Sequence, residues 1–299
     1  MSIQFYQPRT LQEAVGLLSS HAPGARPLAG GTDLVVHTRQ GRGPLPETLV
    51  HLGAIPGLNA IAVDDSGVLH IGAMASHGDI ERSTIVQRNW TALSDASAIV
   101  GSPATRHVGT IGGNLCNGSP AMEVGGPLLA FDATVRLLGP RGERSLPLAQ
   151  FFVGPGSTAR EQDELLVEVV VPPVSGPHGS AYLRLEFRKA MEIAIVGATA
   201  VVQRTQQGTI GDCRIALTAV APTIVRVAEA EQALRGTTGN ADDLARAGEL
   251  AAAASAPIDD VRAPAWYRRD MVKVLTVRAL RRALERAGTG KEPAVETAG

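Results

Sequence analysis

Cysteine is nearly absent from this chain. Cys116 and Cys213 are the only two in 299 residues, far apart and in no CxxC arrangement. This excludes a four-thiolate iron–sulfur cluster or a four-cysteine zinc site within the chain; the expectation is two reduced thiols. Aromatic residues make up only 3%, so Ala, Val and Leu must do most of the packing. Formal net charge is −1, and no excess of one sign points to a nucleic-acid or anionic-membrane partner. No uninterrupted apolar run reaches the length of a bilayer span. The opening MSIQFYQPRT has neither the basic n-region nor the apolar h-region of a secretory signal, so a cytoplasmic location is expected. Two nucleotide signatures are missing as well. There is no GxGxxG opening a βαβ unit and no GxxxxGK[ST], so neither a Rossmann nor a P-loop assignment is available.

The length and the 44% apolar content suit one large domain or two ordinary ones. Thr10-Leu11-Gln12-Glu13 reads as a capping box, with Thr10 as N-cap and Glu13 reaching back. Leu11, Ala14, Val15 and Leu18 then mark one helical face. A short strand is expected over Arg26–Ala29, and a helix over Asp33–Gln40 closed by Gly41 at its C′ position. Ile61-Ala62-Val63 and Val68-Leu69-His70-Ile71, joined through Asp64-Asp65-Ser66-Gly67, read as a hairpin. A helix is expected over Thr91–Val100, stopped by Gly101 and Pro103, with strands over Ala133–Leu138 and Leu165–Val171. Pro172-Pro173-Val174-Ser175-Gly176-Pro177-His178-Gly179 is the clearest linker. Beyond it lie strand candidates at Tyr182–Phe187, Ala194–Val202 and Arg214–Val220. Helices are expected near Ala228–Leu234, Asp242–Ala254 and Trp266–Ala287, and a frayed tail from Gly288. Strands followed by helices point to an α+β domain of its own.

Two segments share one pattern: Pro27-Leu28-Ala29-Gly30-Gly31-Thr32-Asp33-Leu34 and Thr105-Arg106-His107-Val108-Gly109-Thr110-Ile111-Gly112-Gly113-Asn114-Leu115. In each, an apolar approach leads to a glycine pair and small polar residues. Without Cβ atoms, Gly30, Gly31, Gly112 and Gly113 can present backbone N–H groups to a ligand, and Thr32 and Thr110 can add hydroxyls. Such a pair of loops can cradle a pyrophosphate with oriented dipoles and no lysine, while Asp33 caps a helix or meets a sugar hydroxyl. Two ordinary tight turns are the competing reading, and the residues alone leave both open.

The same two motifs, with Asn117-Gly118-Ser119-Pro120-Ala121 after them, resemble the FAD-binding subunit of molybdenum hydroxylases. That family includes the medium subunits of carbon monoxide dehydrogenase and of bacterial xanthine dehydrogenase-type enzymes. The resemblance extends through Ile71-Gly72-Ala73, Glu164-Leu165-Leu166, Ala194-Ile195-Val196, Ala221-Pro222-Thr223, Tyr267-Arg268 and Arg278-Ala279-Leu280, and so covers nearly the whole chain. It implies an α+β fold: a two-part FAD-binding region of the vanillyl-alcohol-oxidase (PCMH) type over 1–174, then a small α+β C-terminal domain over 180–287 and a tail over 288–299. It implies that Leu28, Ala29, Gly30, Gly31, Thr32, Asp33 and Leu34, with Thr110, Ile111, Gly112, Gly113 and Asn114, wrap the diphosphate and ribityl parts of FAD. Leu166 matches a position whose backbone lies near the adenine end. Glu123 stands where relatives commonly carry an Asp, and its extra methylene moves the carboxylate outward. Arg184 stands where relatives often have a Lys close to the flavin. Relatives also tend to have Gln in place of Ala104 and Asn in place of His107.

The function implied is electron transfer within a larger enzyme. A large partner subunit would hold a molybdenum–pterin centre and a small one two [2Fe–2S] clusters, assembled as a dimer of heterotrimers. FAD here would pass electrons to NAD⁺, a quinone or dioxygen. No catalytic acid–base residue and no metal ligand is expected in this chain. An independent FAD oxidase and a non-catalytic assembly module that has lost FAD are the alternatives. Among other polar residues, His107 reads as a structural hydrogen-bonder, and His70 and His77 as isolated, with His77 starting a turn or helix. Cys116 reads as a small buried residue. Arg278, Arg281, Arg282 and Arg286 form a solvated or subunit-contacting helix face; Asp259, Asp260 and Asp270 are surface or cap residues.

Overall fold

The computed structural model describes residues 3–41 and 45–289. The chain is α+β and forms two compact units that do not follow chain order. The first takes the chain up to Asp79, then Gly101–Ser119 and Asp132–Pro172; the second takes Ile80–Val100, Pro120–Phe131 and everything from Pro173 on. The expected boundary near residue 174 thus marks where the chain finally leaves the first unit. Two earlier excursions already pack with the second.

The first unit holds two main sheets. Strands Gln4–Tyr6 and Ala25–Leu28 both pair in parallel with Thr48–His51, which lies between them. Parallel pairing needs crossovers, and the helices Leu11–Ser20 and Thr32–Arg39 supply them. The first of these helices buries Ala14, Val15 and Leu18 against Val50, Leu165 and Val167. Its Thr10 cap forms, with the Thr10 hydroxyl accepting from Glu13 N–H, but the Glu13 carboxylate accepts from Arg9 N–H at 2.8 Å and not from the cap's own amide. The second sheet is antiparallel, in the order Ile61–Val63, Leu69–Gly72, Leu165–Val171, Thr134–Gly139, Gly142–Pro147. The expected hairpin is its edge, with Gly67 at φ 82°. Its central strand changes register between Leu166 and Glu168, and the Val167 carbonyl accepts from Ala73 N–H at 3.0 Å.

In the second unit His178–Leu185, Val196–Arg204, Ile210–Thr218 and Val225–Arg226 form one antiparallel sheet. Alternation along Val196–Arg204 sends Val196, Ala198, Ala200 and Val202 into a core shared with Ala279, Leu280 and Ala283 of the helix Ala265–Thr289. The opposite face takes the excursions: Ser180 Oγ accepts from Ala92 N–H, and Asp95 from Tyr182 N–H. Two acid and base readings change here. Arg286 is no solvated residue: its guanidinium grips Asp95 at 2.6 and 3.0 Å and the Ser180 carbonyl. Asp260 is no surface acid either, since it neutralises the buried Arg268; Asp259, by contrast, accepts from Ala265 N–H at a helix start.

Element limits differ from expectation where tertiary contacts intervene. The helix expected to Val100 runs Thr91–Ser97, and Pro103 opens a new helix, Pro103–Val108, capped by Ser102. Proline suits a first helical position because its missing N–H would have no partner there. The last helix continues to Thr289, past the expected fraying point at Gly288; residues 290–299 of the expected tail lie outside the described residues. Among the described residues no helix is long and apolar enough to cross a membrane.

The helix Ala241–Ala254 begins at a full capping box, in which Asn240 accepts from Asp242 and Asp243 N–H while Asp243 accepts from Asn240 N–H. Asn240→Ala is expected to lower stability by about 1 kcal/mol and Asn240→Ser by much less, read as a shift in the urea midpoint.

Candidate functional site

The first glycine motif is a helix start reached from a strand. After Leu28, whose partner is His51, the chain turns through Ala29 and Gly30. Gly31 stands as N-cap at φ 70°, a left-handed conformation that a residue with a Cβ adopts at a cost. The helix Thr32–Arg39 follows, closing at Gly41 (φ 68°) as expected. No side chain caps its N-terminus. Among the described residues, the N–H groups of Gly31, Thr32, Asp33 and Leu34 have no protein acceptor. Helix starts leave such donors unmatched, and the helix dipole adds partial positive charge at the same end. That is an anion-binding geometry made of backbone alone.

The second motif is also a helix start, but its donors are used. Thr110 is the N-cap of Ile111–Asn117, and its hydroxyl accepts from Gly113 N–H at 3.1 Å. Ile111 N–H donates to Ala75 O at 3.0 Å and Gly112 N–H to Ala73 O at 2.9 Å. The expectation that Gly112 and Gly113 offer free N–H groups therefore fails. Gly112 is needed for packing: a Cβ there would lie 2.7 Å from the Ala73 side chain and carbonyl. What this motif leaves open is a side chain. Asn114 Oδ1 is buried and has no hydrogen-bond partner among the described residues.

The two motifs, far apart in sequence, touch within the first unit. A Cβ on Gly30 would lie 1.9 Å from the Val108 carbonyl oxygen, and one on Gly113 would lie 3.8 Å from Ala29 Cβ. The Cβ position of Gly109 is 3.7 Å from Thr32 Oγ1. Glycine at 30 thus permits backbone-to-backbone contact that brings the unmatched N–H groups of one motif beside Asn114 of the other.

Beneath this junction sits His77, whose position the sequence reading missed. It does open a helix, His77–Arg82. Its N–H also donates to Gly109 O at 3.0 Å, next to the bridge between Ser76 and Thr110. Its side chain is 1% exposed; burial, aided by the charge of Arg106, pushes its pKa down to about 4. No sequence signal marked it, because burial at a junction of three segments leaves no local periodicity. His107 is a structural hydrogen-bonder as read, its Nδ1 meeting Pro103 O at 2.9 Å. His70 is not isolated: it lies 3.1 Å from Asp64 and 3.3 Å from Glu168. Cys116 is half-buried, and burial raises its pKa against the nearby Arg160, keeping it a thiol. Leu166 is buried in the central strand of the five-stranded sheet, at the register change.

Glu123 and Arg184 belong to the second unit, where they bind each other. Arg184 Nη1 donates to Glu123 Oε1 at 2.5 Å, to Ile99 O at 3.1 Å and to Glu192 O at 3.3 Å; Nε donates to Glu186. The Arg184 side chain is fully buried, and its Nη2 has no partner among the described residues. Burial raises the Glu123 pKa, while Arg184 opposes that rise. One guanidinium therefore ties both excursions, through Ile99 and Glu123, to the sheet.

Two outcomes follow from this geometry. His77 has its ordinary value of 6.5 in the unfolded chain and about 4 in the folded one. Between these values only the unfolded chain binds the proton, so the contribution of neutral His77 is complete above about pH 6.5 and falls as the pH drops towards 4. Urea midpoints are expected to show a loss of about 2 kcal/mol between pH 7 and 5, and His77→Asn should remove that slope. Arg184→Met leaves Glu123 buried without its cation and should cost about 3–5 kcal/mol; a loss under about 1 kcal/mol in the same assay would contradict the tie.

Comparison with known proteins agrees with this arrangement. A family model described as the FAD binding domain in molybdopterin dehydrogenase matches residues 1–174. The CO dehydrogenase flavoprotein C-terminal domain matches residues 171–283. The xanthine dehydrogenase FAD-binding subunit of Escherichia coli O157:H7 is 31% identical over 95% of this chain and 97% of its own. The carbon monoxide dehydrogenase medium chain of Hydrogenophaga pseudoflava is 35% identical over 95% and 97%. A solved structure of carbon monoxide dehydrogenase from Hydrogenophaga pseudoflava, lacking the Mo-pyranopterin moiety of the molybdenum cofactor, superposes with a TM-score of 0.91 at 34% identity, covering 96% of this chain and 98% of that one. With both domains matched in order and over almost their full length, the chain belongs to the FAD-binding medium subunits of the molybdenum hydroxylases, the flavoprotein components of oxidoreductases of the xanthine and carbon monoxide dehydrogenase type.

Proposed function

We propose that this chain is the electron-transfer subunit of a cytoplasmic molybdenum hydroxylase complex. It takes electrons from [2Fe–2S] clusters of a small partner subunit and delivers them through FAD to NAD⁺, a quinone or dioxygen. A large molybdenum–pterin subunit completes the complex, as a dimer of heterotrimers. The observation that carries this reading is the contact of the two glycine motifs, with four unmatched N–H groups on one and an unmatched amide oxygen on the other. Both fit a ligand that carries an anionic diphosphate and neighbouring hydroxyl donors.

When bound, FAD supplies the redox chemistry. The chain's own residues bind and orient it. The N–H groups of Gly31, Thr32, Asp33 and Leu34, with the Thr32 hydroxyl, neutralise the diphosphate. Leu28, Ala29 and Gly30 bring the strand end against it, and Asp33, exposed in the first turn, takes a hydroxyl. Asn114 accepts from the ribityl side, while Thr110, Ile111, Gly112 and Gly113 hold its helix in place. Leu166 borders the adenine end. Glu123 and Arg184 are engaged with each other inside the second unit, where their ion pair holds the segments around Ile99 and Glu192. The chain's two cysteines are too few for a thiolate-held cluster of its own, consistent with electrons arriving from a partner.

Purified chain should bind FAD at one site, with the flavin released intact on denaturation. Asn114→Ala removes one hydrogen bond and should weaken FAD about tenfold while leaving the circular dichroism spectrum unchanged. A folded chain that takes up no FAD would overturn the proposal; turnover of an organic substrate by the isolated chain would favour the independent oxidase.

A further inference from the structure

A cavity of about 470 Å³ opens in the second unit, remote in sequence from both glycine motifs. It lies where the end of the strand Val196–Arg204 meets the start of the helix Ala241–Ala254 and the last turns of the helix Ala265–Thr289. Leu244 and Leu284 line it, only 4% and 7% exposed, and form an apolar floor. Gly239, at φ 72°, lets the backbone pass close to Leu284. Arg204 and Arg281 supply the polar wall, and Glu285 the only carboxylate among the lining residues.

Among the described residues the charges in this cavity are not fully matched. The Arg204 guanidinium makes one hydrogen bond, from Nη1 to the Gly208 carbonyl at 3.2 Å, and its Nε is buried with no partner. Arg281 has no hydrogen bond or ion pair with any described residue, and Glu285, one helical turn along, does not reach it. A guanidinium presents donors in a planar fork suited to a carboxylate. Two such groups beside an apolar floor call for a ligand that is anionic at one end and hydrocarbon at the other. A bare inorganic anion would meet the arginines and leave Leu244 and Leu284 unused. The Glu285 carboxylate disfavours a second negative charge. The volume lies in the range of small-molecule sites.

We propose that this cavity is a binding site for a small organic monocarboxylate with an apolar body, separate from the FAD site. Benzoate is the probe. Calorimetric titration of the full-length, FAD-loaded chain with benzoate should give saturable one-site binding. Arg204→Gln and Arg281→Gln should each weaken it about tenfold or more, and inorganic phosphate should bind at least about tenfold more weakly than benzoate. Arg281 is exposed on its helix, so Arg281→Gln retains the fold, checked by circular dichroism and by unchanged flavin content. Flavin content also separates failure here from failure of the FAD reading. Absence of saturable benzoate binding, affinity in either variant unchanged from the unsubstituted chain, or phosphate binding as tightly as benzoate would each overturn the proposal.

Discussion

The approach of Gly30 to the Val108 carbonyl is the contact on which the site depends. A side chain at position 30 would place its Cβ 1.9 Å from that oxygen, so any other residue would push the two motifs apart. With glycine there, the uncapped start of Thr32–Arg39 lies beside Gly109, and Asn114 follows one short helix later. The surrounding ladder reinforces this contact. Ala73, Ala75 and His77 bond to Gly112, Ile111 and Gly109 respectively, fixing the second motif on the strand end of the hairpin. Its donors are used for construction, while those of the first motif stay available.

This division of labour refines the picture of a cradle with two equal loops. One motif is chemically open and the other is structural, although both carry a glycine pair. The difference lies in what each glycine meets. Gly31 permits a left-handed cap with no competing acceptor nearby, whereas Gly112 and Gly113 lie against protein acceptors at hydrogen-bond distance. Anion affinity in such a site rests on backbone dipoles, so it needs no lysine, and none appears in either motif.

Much of the fold was legible in local patterns. The capped helix at Leu11–Ser20, the hairpin around Gly67 and three of the four strands of the sheet after the linker follow from periodicity and turn chemistry, while the short strand Val225–Arg226 does not. The two motifs were legible as one repeated pattern of paired glycines beside small polar residues, and the resemblance to a known family turned that pattern into an expectation of FAD binding. The discontinuous packing was not legible. Nothing in the local sequence of 80–100 or 120–131 says that these stretches leave the first unit, because their apolar faces would suit either core. The roles of Arg184, Arg286 and Asp260 escaped for a related reason. Arg184 and Arg286 are held by carboxylates from distant segments, and Asp260 pairs with an Arg268 that is itself buried by reaching back to the Ala219 carbonyl; none of these long-range contacts leaves a local signal.

The amino-acid sequence by itself located the two motifs in residue types at short fixed spacings, and through their resemblance to a known family it pointed to the family and the cofactor class. Only the tertiary structure decided which donors remain free for a ligand, that His77 sits buried beneath the junction, and that Glu123 and Arg184 pair with one another. Hydrogen-bond satisfaction and burial depend on long-range contacts, and these are established only when distant segments close on each other.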